Sequence, residues 1–142
     1  MISAVLDSNI FISSFLFNGN QRRIINHAIE GDFRINISHE FLSEIDSVLK
    51  RPKFKLTFNQ ICLFLNEVSS LSEICYPSAK IINSCRDSDD HIILECAVES
   101  KSDYIVTGDN DLLILKKYKA ITIINSDAFL SILEEQSTQE LI

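Results

Sequence analysis

Three aspartates stand where short apolar runs end or where a helical pattern opens. Asp7 directly follows Ile2 to Leu6, Asp90 closes Ser88-Asp89-Asp90 ahead of Ile93, Leu94, Ala97 and Val98, and Asp109 follows Tyr104-Ile105-Val106 through Thr107-Gly108. Carboxylates gathered in this way suit hard divalent cations, because Mg²⁺ and Mn²⁺ take oxygen ligands, keep several waters and need no Cys or His pattern. A fourth acid, Glu44, lies three residues after Phe41 and four before Val48, about 40° around a helix from Val48. At the border of an apolar stripe, such an acid either reaches along a sheet edge toward an ion or turns out into water.

Each acid also has an ordinary structural reading. Asp7 after a strand caps the next helix. Asp87, Asp89 and Asp90 complement a helix dipole, since acids are favoured in the first turn. Glu44 is surface charge, and Asp109 and Asp111 are turn residues beside Gly108. Capping alone accounts less well for their placement on one side of a sheet, which follows from the elements that carry them.

Those elements alternate. Ile2 to Leu6 is an apolar run without helical period and reads as a strand buried on both faces. A helix over Asn9 to Phe17 stops at Asn18-Gly19-Asn20, and a second runs from Gln21 to Glu30. Phe33 to Ile37 alternates apolar and polar as a half-buried strand does. Ser38 caps a helix with Phe41, Leu42, Ile45, Val48 and Leu49 on one face, ended by Pro52, and Asn59 to Leu71 fits the same period. Ser72 to Arg86 has a weak pattern containing Pro77 and is left between short strand and loop. A helix opening at Ser88, a strand at Tyr104 to Val106, a short helix over Asp111 to Lys117, a strand at Ile121 to Ile124 and a helix of Ala128 to Glu135 capped by Ser126 complete the chain.

Strands joined by helices imply an α/β fold with a mainly parallel sheet covered on both sides. Ligands of such sheets bind beyond the carboxyl ends of the strands, where Asp7 and Asp109 fall. At 142 residues the chain is one domain, placed at 1–136 with a polar frayed tail at 137–142.

Composition narrows the class. A net charge of −7 and a pI near 4.9 argue against broad electrostatic adhesion to nucleic acid. They do not argue against a nucleic-acid enzyme, since each bound divalent ion returns two positive charges. Phosphate contacts would come from Gln21-Arg22-Arg23, Lys50 to Lys55, and Lys116 to Lys119. The four cysteines, Cys62, Cys75, Cys85 and Cys96, are ten or more residues apart and read as buried reduced thiols, which suggests a cytoplasmic location. No secretory signal or membrane span is expected. His27 and His39 read as exposed helix residues, and His91, beside Asp90, is not assigned as a general base.

Four segments in order carry a family resemblance: Val5-Leu6-Asp7-Ser8-Asn9-Ile10, Cys85-Arg86-Asp87-Ser88-Asp89-Asp90, Leu94-Glu95-Cys96-Ala97, and Asp103 through Leu113. Nearly the whole chain resembles the bacterial and archaeal PIN-domain proteins, which include toxin components of toxin–antitoxin pairs. The resemblance implies a three-layer α/β/α sandwich of the PIN type. It also implies that Asp7, Glu44, Asp90 and Asp109 form an acidic quartet for one or two Mg²⁺ or Mn²⁺ ions, with Asp111 a supporting acid. Ser8 stands where the family more often has threonine, Ser88 where it often has proline, and His91 where lysine or asparagine is common.

The expected activity is metal-assisted hydrolysis of RNA phosphodiester bonds. Asp7, Asp90 and Asp109 would ligate the metal, Glu44 would hold a water on it or a second ion, and Asn9 and Thr107 would orient the ligating carboxylates. The family further implies a small antitoxin that occludes the acidic site, and frequent homodimers. The alternative is a PIN fold kept as a catalytically silent binding module. A phosphotransferase with an aspartate nucleophile fits less well, because it wants a second acid where Asn9 stands.

Overall fold

In a β-strand successive side chains point to opposite faces of the sheet, so full burial of neighbouring residues requires cover on both sides. Ala4, Val5 and Leu6 of β1 (Ser3–Leu6) each have 0% exposure, which makes this the central strand of a sandwich. The structure, a computed structural model, describes residues 1–76 and 88–140, without the side chains of 88–90 and 137–140.

Among the described residues six strands form one sheet in the order β3-β2-β1-β4-β6-β5. These are β1, β2 (Arg34–Ser38), β3 (Ser72–Cys75), β4 (Tyr104–Val106), β5 (Lys117–Tyr118) and β6 (Ile121–Ile124). All neighbours are parallel except β5 against β6. The order runs outward from β1 to β2 and β3 on one side and to β4 and β6 on the other. Strand order therefore reverses between β1 and β4, the position at whose carboxyl ends such sheets bind ligands.

The helices are α1 (Ser8–Leu16), α2 (Asn20–Ile29), α3 (His39–Leu49), α4 (Phe58–Leu71), α5 (Ser88–Glu99), α6 (Asn110–Leu113) and α7 (Ser126–Glu140). Their ends follow local chemistry. The Ser38 hydroxyl accepts the Phe41 N–H at 3.1 Å and starts α3. Thr57 and Gln60 satisfy each other's backbone N–H groups in a capping box that starts α4. Helix α2 stops at Gly31, whose φ of 82° suits a residue without Cβ, and the Asp32 N–H returns to the His27 carbonyl at 2.9 Å.

Helix α5 packs on β1, β2 and β4, while α2 packs on α7 and α1. The core is apolar, with Phe11, Phe41 and Phe129 among its largest fully buried side chains. Phe129 of α7 meets the Phe33 ring edge-on at 5.0 Å and so ties the last helix to the start of β2. No helix among the described residues is long and apolar enough to cross a membrane.

The expected α/β sandwich with a mainly parallel sheet is the observed one, with local corrections. The weak segment after Leu71 supplies an edge strand, β3, and its residues 77–87 lie outside the described residues. The helix expected over Asp111 to Lys117 ends at Leu113. Lys116 and Lys119 take left-handed backbone (φ 58° and 54°), which turns Lys117–Tyr118 back as an antiparallel partner for β6. Asn125, rather than Ser126, caps α7, its Oδ1 accepting the Ala128 N–H at 2.9 Å. Helix α7 also continues to Glu140, into the stretch read as a tail.

Candidate active site

Each acid is positioned by the element it follows. Parallel pairing continues one residue past β1 and β4: the Asp7 N–H donates to the Val106 carbonyl of β4 at 3.0 Å, and the Thr107 N–H donates to the Ile124 carbonyl of β6 at 3.0 Å. Asp7 and Thr107 are thereby fixed side by side where strand order reverses.

Asp7 occupies the cap position of α1 but makes no side-chain capping bond. Instead its Oδ2 accepts the Thr107 hydroxyl at 2.6 Å and its Oδ1 accepts the Ser8 hydroxyl at 3.3 Å. Asp7 as a whole is 8% exposed and Thr107 is fully buried. A carboxylate has about four lone-pair sites, so two hydroxyl donors orient Asp7 without exhausting it. Thr107 Oγ1 also accepts the Asp109 N–H at 3.0 Å, which links the two acids through one hydroxyl.

Asp109 caps α6, its Oδ1 accepting the Asp111 N–H at 2.9 Å. Here the turn reading holds, and Oδ2 takes no hydrogen bond among the described residues. Asp111 is exposed in the first turn of α6. Glu44 is half-buried on α3, with its Oε2 shielded from water, and α3 packs beside both α1 and α5. The Asp90 backbone lies in the first turn of α5, and its side chain, like all of Asp87, lies outside the described residues.

The structure thus joins Asp7, Thr107, Asp109 and Asp111 in one hydrogen-bonded chain at the carboxyl edge. It does not draw Asp7, Glu44 and Asp109 together as a closed ligand set. Among the described residues, the only triplet of ligand atoms all within 4.8 Å of one another belongs to His27, Glu30 and Asp32, at the end of α2. The donor set at the carboxyl edge still fits Mg²⁺ or Mn²⁺, since all donors are carboxylate oxygens and such ions are held through one or two carboxylates plus waters. Asp7, with spare acceptor capacity in a nearly buried setting, and Asp109, whose Oδ2 takes no hydrogen bond among the described residues, would hold the ion.

Two assignments shift. Asn9 is exposed and makes no hydrogen bond to either aspartate among the described residues, whereas the neighbouring Ser8 hydroxyl does. The hydroxyl side chain right after Asp7 was the signal for that role. His27, read as exposed, is half-buried, and its Nδ1 lies 2.7 Å from Asp32 Oδ2. Its partner is five residues on, brought back by the turn at Gly31, and periodicity along α2 alone does not reveal this. The basic stretches divide as well: Arg22 pairs with Glu67 at 3.4 Å, Arg23 with Glu134, and Lys50 with Asp46 at 3.0 Å, while Arg51, Lys53 and Lys55 are exposed.

Comparison with known proteins identifies the family of the fold. The chain is 34% identical over 129 residues to the uncharacterized protein MJ1680 of Methanocaldococcus jannaschii, covering 88% of this chain and 82% of that protein. Among solved structures it is similar to a chain in the crystal structure of VapBC2 from Rickettsia felis bound to a DNA fragment from their promoter. The TM-score is 0.63 at 19% identity, over 87% of this chain and 98% of that one, a likeness of fold. The PIN-domain family model matches residues 3–111, across β1, α3, α5 and the turn after β4. This chain belongs to the PIN-domain family.

Proposed function

We propose that this protein is an Mg²⁺- or Mn²⁺-dependent endoribonuclease acting at the acidic carboxyl edge of its sheet. The observation that carries the reading is the Asp7 carboxylate, nearly buried where strand order reverses and held by two hydroxyls rather than spent on capping α1. A residue kept for helix stability alone would bond the N–H groups of the first turn.

A divalent ion at this edge supplies charge neutralisation at the scissile phosphate and lowers the pKa of an attacking water. Asp7, Asp90 and Asp109 are the proposed ligands, with Asp111 in support. Thr107 and Ser8 hold the Asp7 oxygens in fixed directions, so that little reorganisation is needed when an ion or phosphate arrives. Glu44, on the neighbouring helix, directs a water or binds a second ion. The exposed Arg51, Lys53 and Lys55 provide phosphate contacts for the RNA backbone.

The fold likeness to a chain of VapBC2 supports a further part of the proposal, that this is the toxin component of a toxin–antitoxin pair. A small antitoxin would then cover the acidic edge, and the active form would be cytoplasmic and in many cases a homodimer.

The test is cleavage of mixed RNA substrates by purified protein with Mn²⁺, Mg²⁺ or chelator, run beside Asp7→Asn. Metal-dependent products that vanish in the variant, with its circular dichroism unchanged, are expected. Full activity in Asp7→Asn would overturn the site, and absence of cleavage with every metal would favour a binding module.

A further inference from the structure

Two sulfurs meet at the carboxyl end of the edge strand β3. Cys75 ends β3 and Cys96 lies in the middle of α5, and their Sγ atoms are 3.4 Å apart. Cys96 has no exposed surface, whereas Cys75, on an edge strand, is half-exposed. A cleft of about 310 Å³ lined by Asn36, Glu73, Cys75, Tyr76 and Ser100 opens beside the Cys75 position. One thiol is therefore reachable from solvent, and the other waits directly behind it.

We propose that Cys75 and Cys96 form a site of reversible oxidation that closes to an intramolecular disulfide on reaction with a small organic disulfide. The Cys75 thiolate attacks one sulfur of the reagent, forming a mixed disulfide and expelling one thiolate, which takes up the proton Cys75 lost. The Cys96 sulfur, on losing its proton, attacks the Cys75 sulfur, and the second reagent thiol leaves with that proton. Two protein thiols are oxidised and one reagent disulfide is reduced to two thiols. The sulfurs, 3.4 Å apart, must close by roughly 1.4 Å to reach disulfide bonding distance.

The surroundings set the rate. Burial raises the Cys75 thiol above its ordinary value, a hydrogen bond with Cys96 works against that, and Glu99 and Glu73 add to the rise. Burial pushes Cys96 up further, with Cys75 itself contributing. Both groups are thiols at neutral pH, so exchange is slow there and speeds up roughly tenfold per pH unit toward the thiol range. The two glutamates also favour a neutral oxidant over an anionic one.

The experiment treats the full chain with bis(2-hydroxyethyl) disulfide at pH 8.5, blocks free thiols, and maps the cysteine peptides by mass spectrometry. A Cys75–Cys96 linked peptide, lighter by two hydrogens and reopened by dithiothreitol, is expected. So is a rise in Tm of roughly 6–12 °C for a ring of about twenty residues. The same link should form in a Cys62→Ser, Cys85→Ser variant and be absent in Cys75→Ser. A link from Cys75 or Cys96 to Cys62 or Cys85 would overturn the proposal. So would a mixed disulfide persisting on Cys75 beside a reduced Cys96, or four free thiols after treatment. Because the wild-type map decides by itself, poor folding of the Cys75 variant does not blunt the test.

Discussion

Thr107→Val separates the hydroxyl's role from that of the residue's shape. Valine keeps the branched outline in a site with no exposure, so packing is nearly conserved while Oγ1 is lost. Two bonds disappear: the 2.6 Å donation to Asp7 Oδ2 and the 3.0 Å acceptance from the Asp109 N–H. A hydrogen bond to a charged group contributes about 1.5–3 kcal/mol, and the neutral bond to the partly exposed Asp109 N–H about 0.5–1 kcal/mol. The variant should therefore lose about 2–4 kcal/mol. Thr107→Ser keeps the hydroxyl and removes one methyl, which costs about 0.5–1.5 kcal/mol. Urea unfolding followed by far-ultraviolet circular dichroism measures both, with an unchanged m-value showing that the comparison is one of stability. In the cleavage assay valine should also reduce kcat more than serine does, because Asp7 is no longer held in direction. A valine variant within about 0.5 kcal/mol of wild type, or a serine variant as damaged as the valine one, would refute the argument that this hydroxyl holds the acids.

Other consequences follow from single features. Mn²⁺ at about one hundred times its dissociation constant should stabilise the wild-type protein by about 2.7 kcal/mol; a thermal scan should show the rise in Tm in wild type and its loss in Asp7→Asn. Thr57→Ala removes half of the capping box on α4 and should cost about 1 kcal/mol, read as a fall in Tm of about 2–4 °C with no change in cleavage. The raised Cys96 thiol keeps its proton in the folded state after the unfolded chain has released it, at pH above about 9. The unfolded state then binds fewer protons, so stability is fully present below that pH and falls by about 1.4 kcal/mol per unit as pH rises through the window. Urea titrations from pH 8 to 10.5 should show this slope flattened in Cys96→Ala.

Much of the architecture is written in local pattern. The buried run before Asp7 and the stripe from Phe41 to Leu49 specify period and burial from neighbours a few residues away, and the alternation at Phe33 to Ile37 specifies a strand but not its burial, since polar Asn36 is buried as well, bonded to Ser102. The strands, the helices between them and the parallel sheet could therefore be read from the chain. Edges were harder. Ser72–Cys75 and Lys117–Tyr118 are strands because a partner strand offers hydrogen bonds at their place in the sheet, and their own half-exposed residues carry little periodic signal.

The site divides in the same way. Residue type and position singled out Asp7, Asp90, Asp109 and Glu44 as candidates, and the family resemblance made them a quartet and added Asp111 in support. Tertiary structure alone decided what the carboxylates do, because the partner of Asp7 is a hydroxyl one hundred positions away, on Thr107, and that distance along the chain vanishes only when β1 and β4 pair. It likewise decided that Asp109 caps its helix while Asp7 does not, that His27 meets Asp32 around a glycine turn, and that Cys75 and Cys96 touch. Sequence by itself determined the central strands, the main helices and the chemical groups at their ends, since these depend on local composition, whereas the edge strands β3 and β5 were not settled by it. Which of those groups meet was decided by strand order and helix packing, because contacts between residues far apart in the chain exist only once the sheet is assembled.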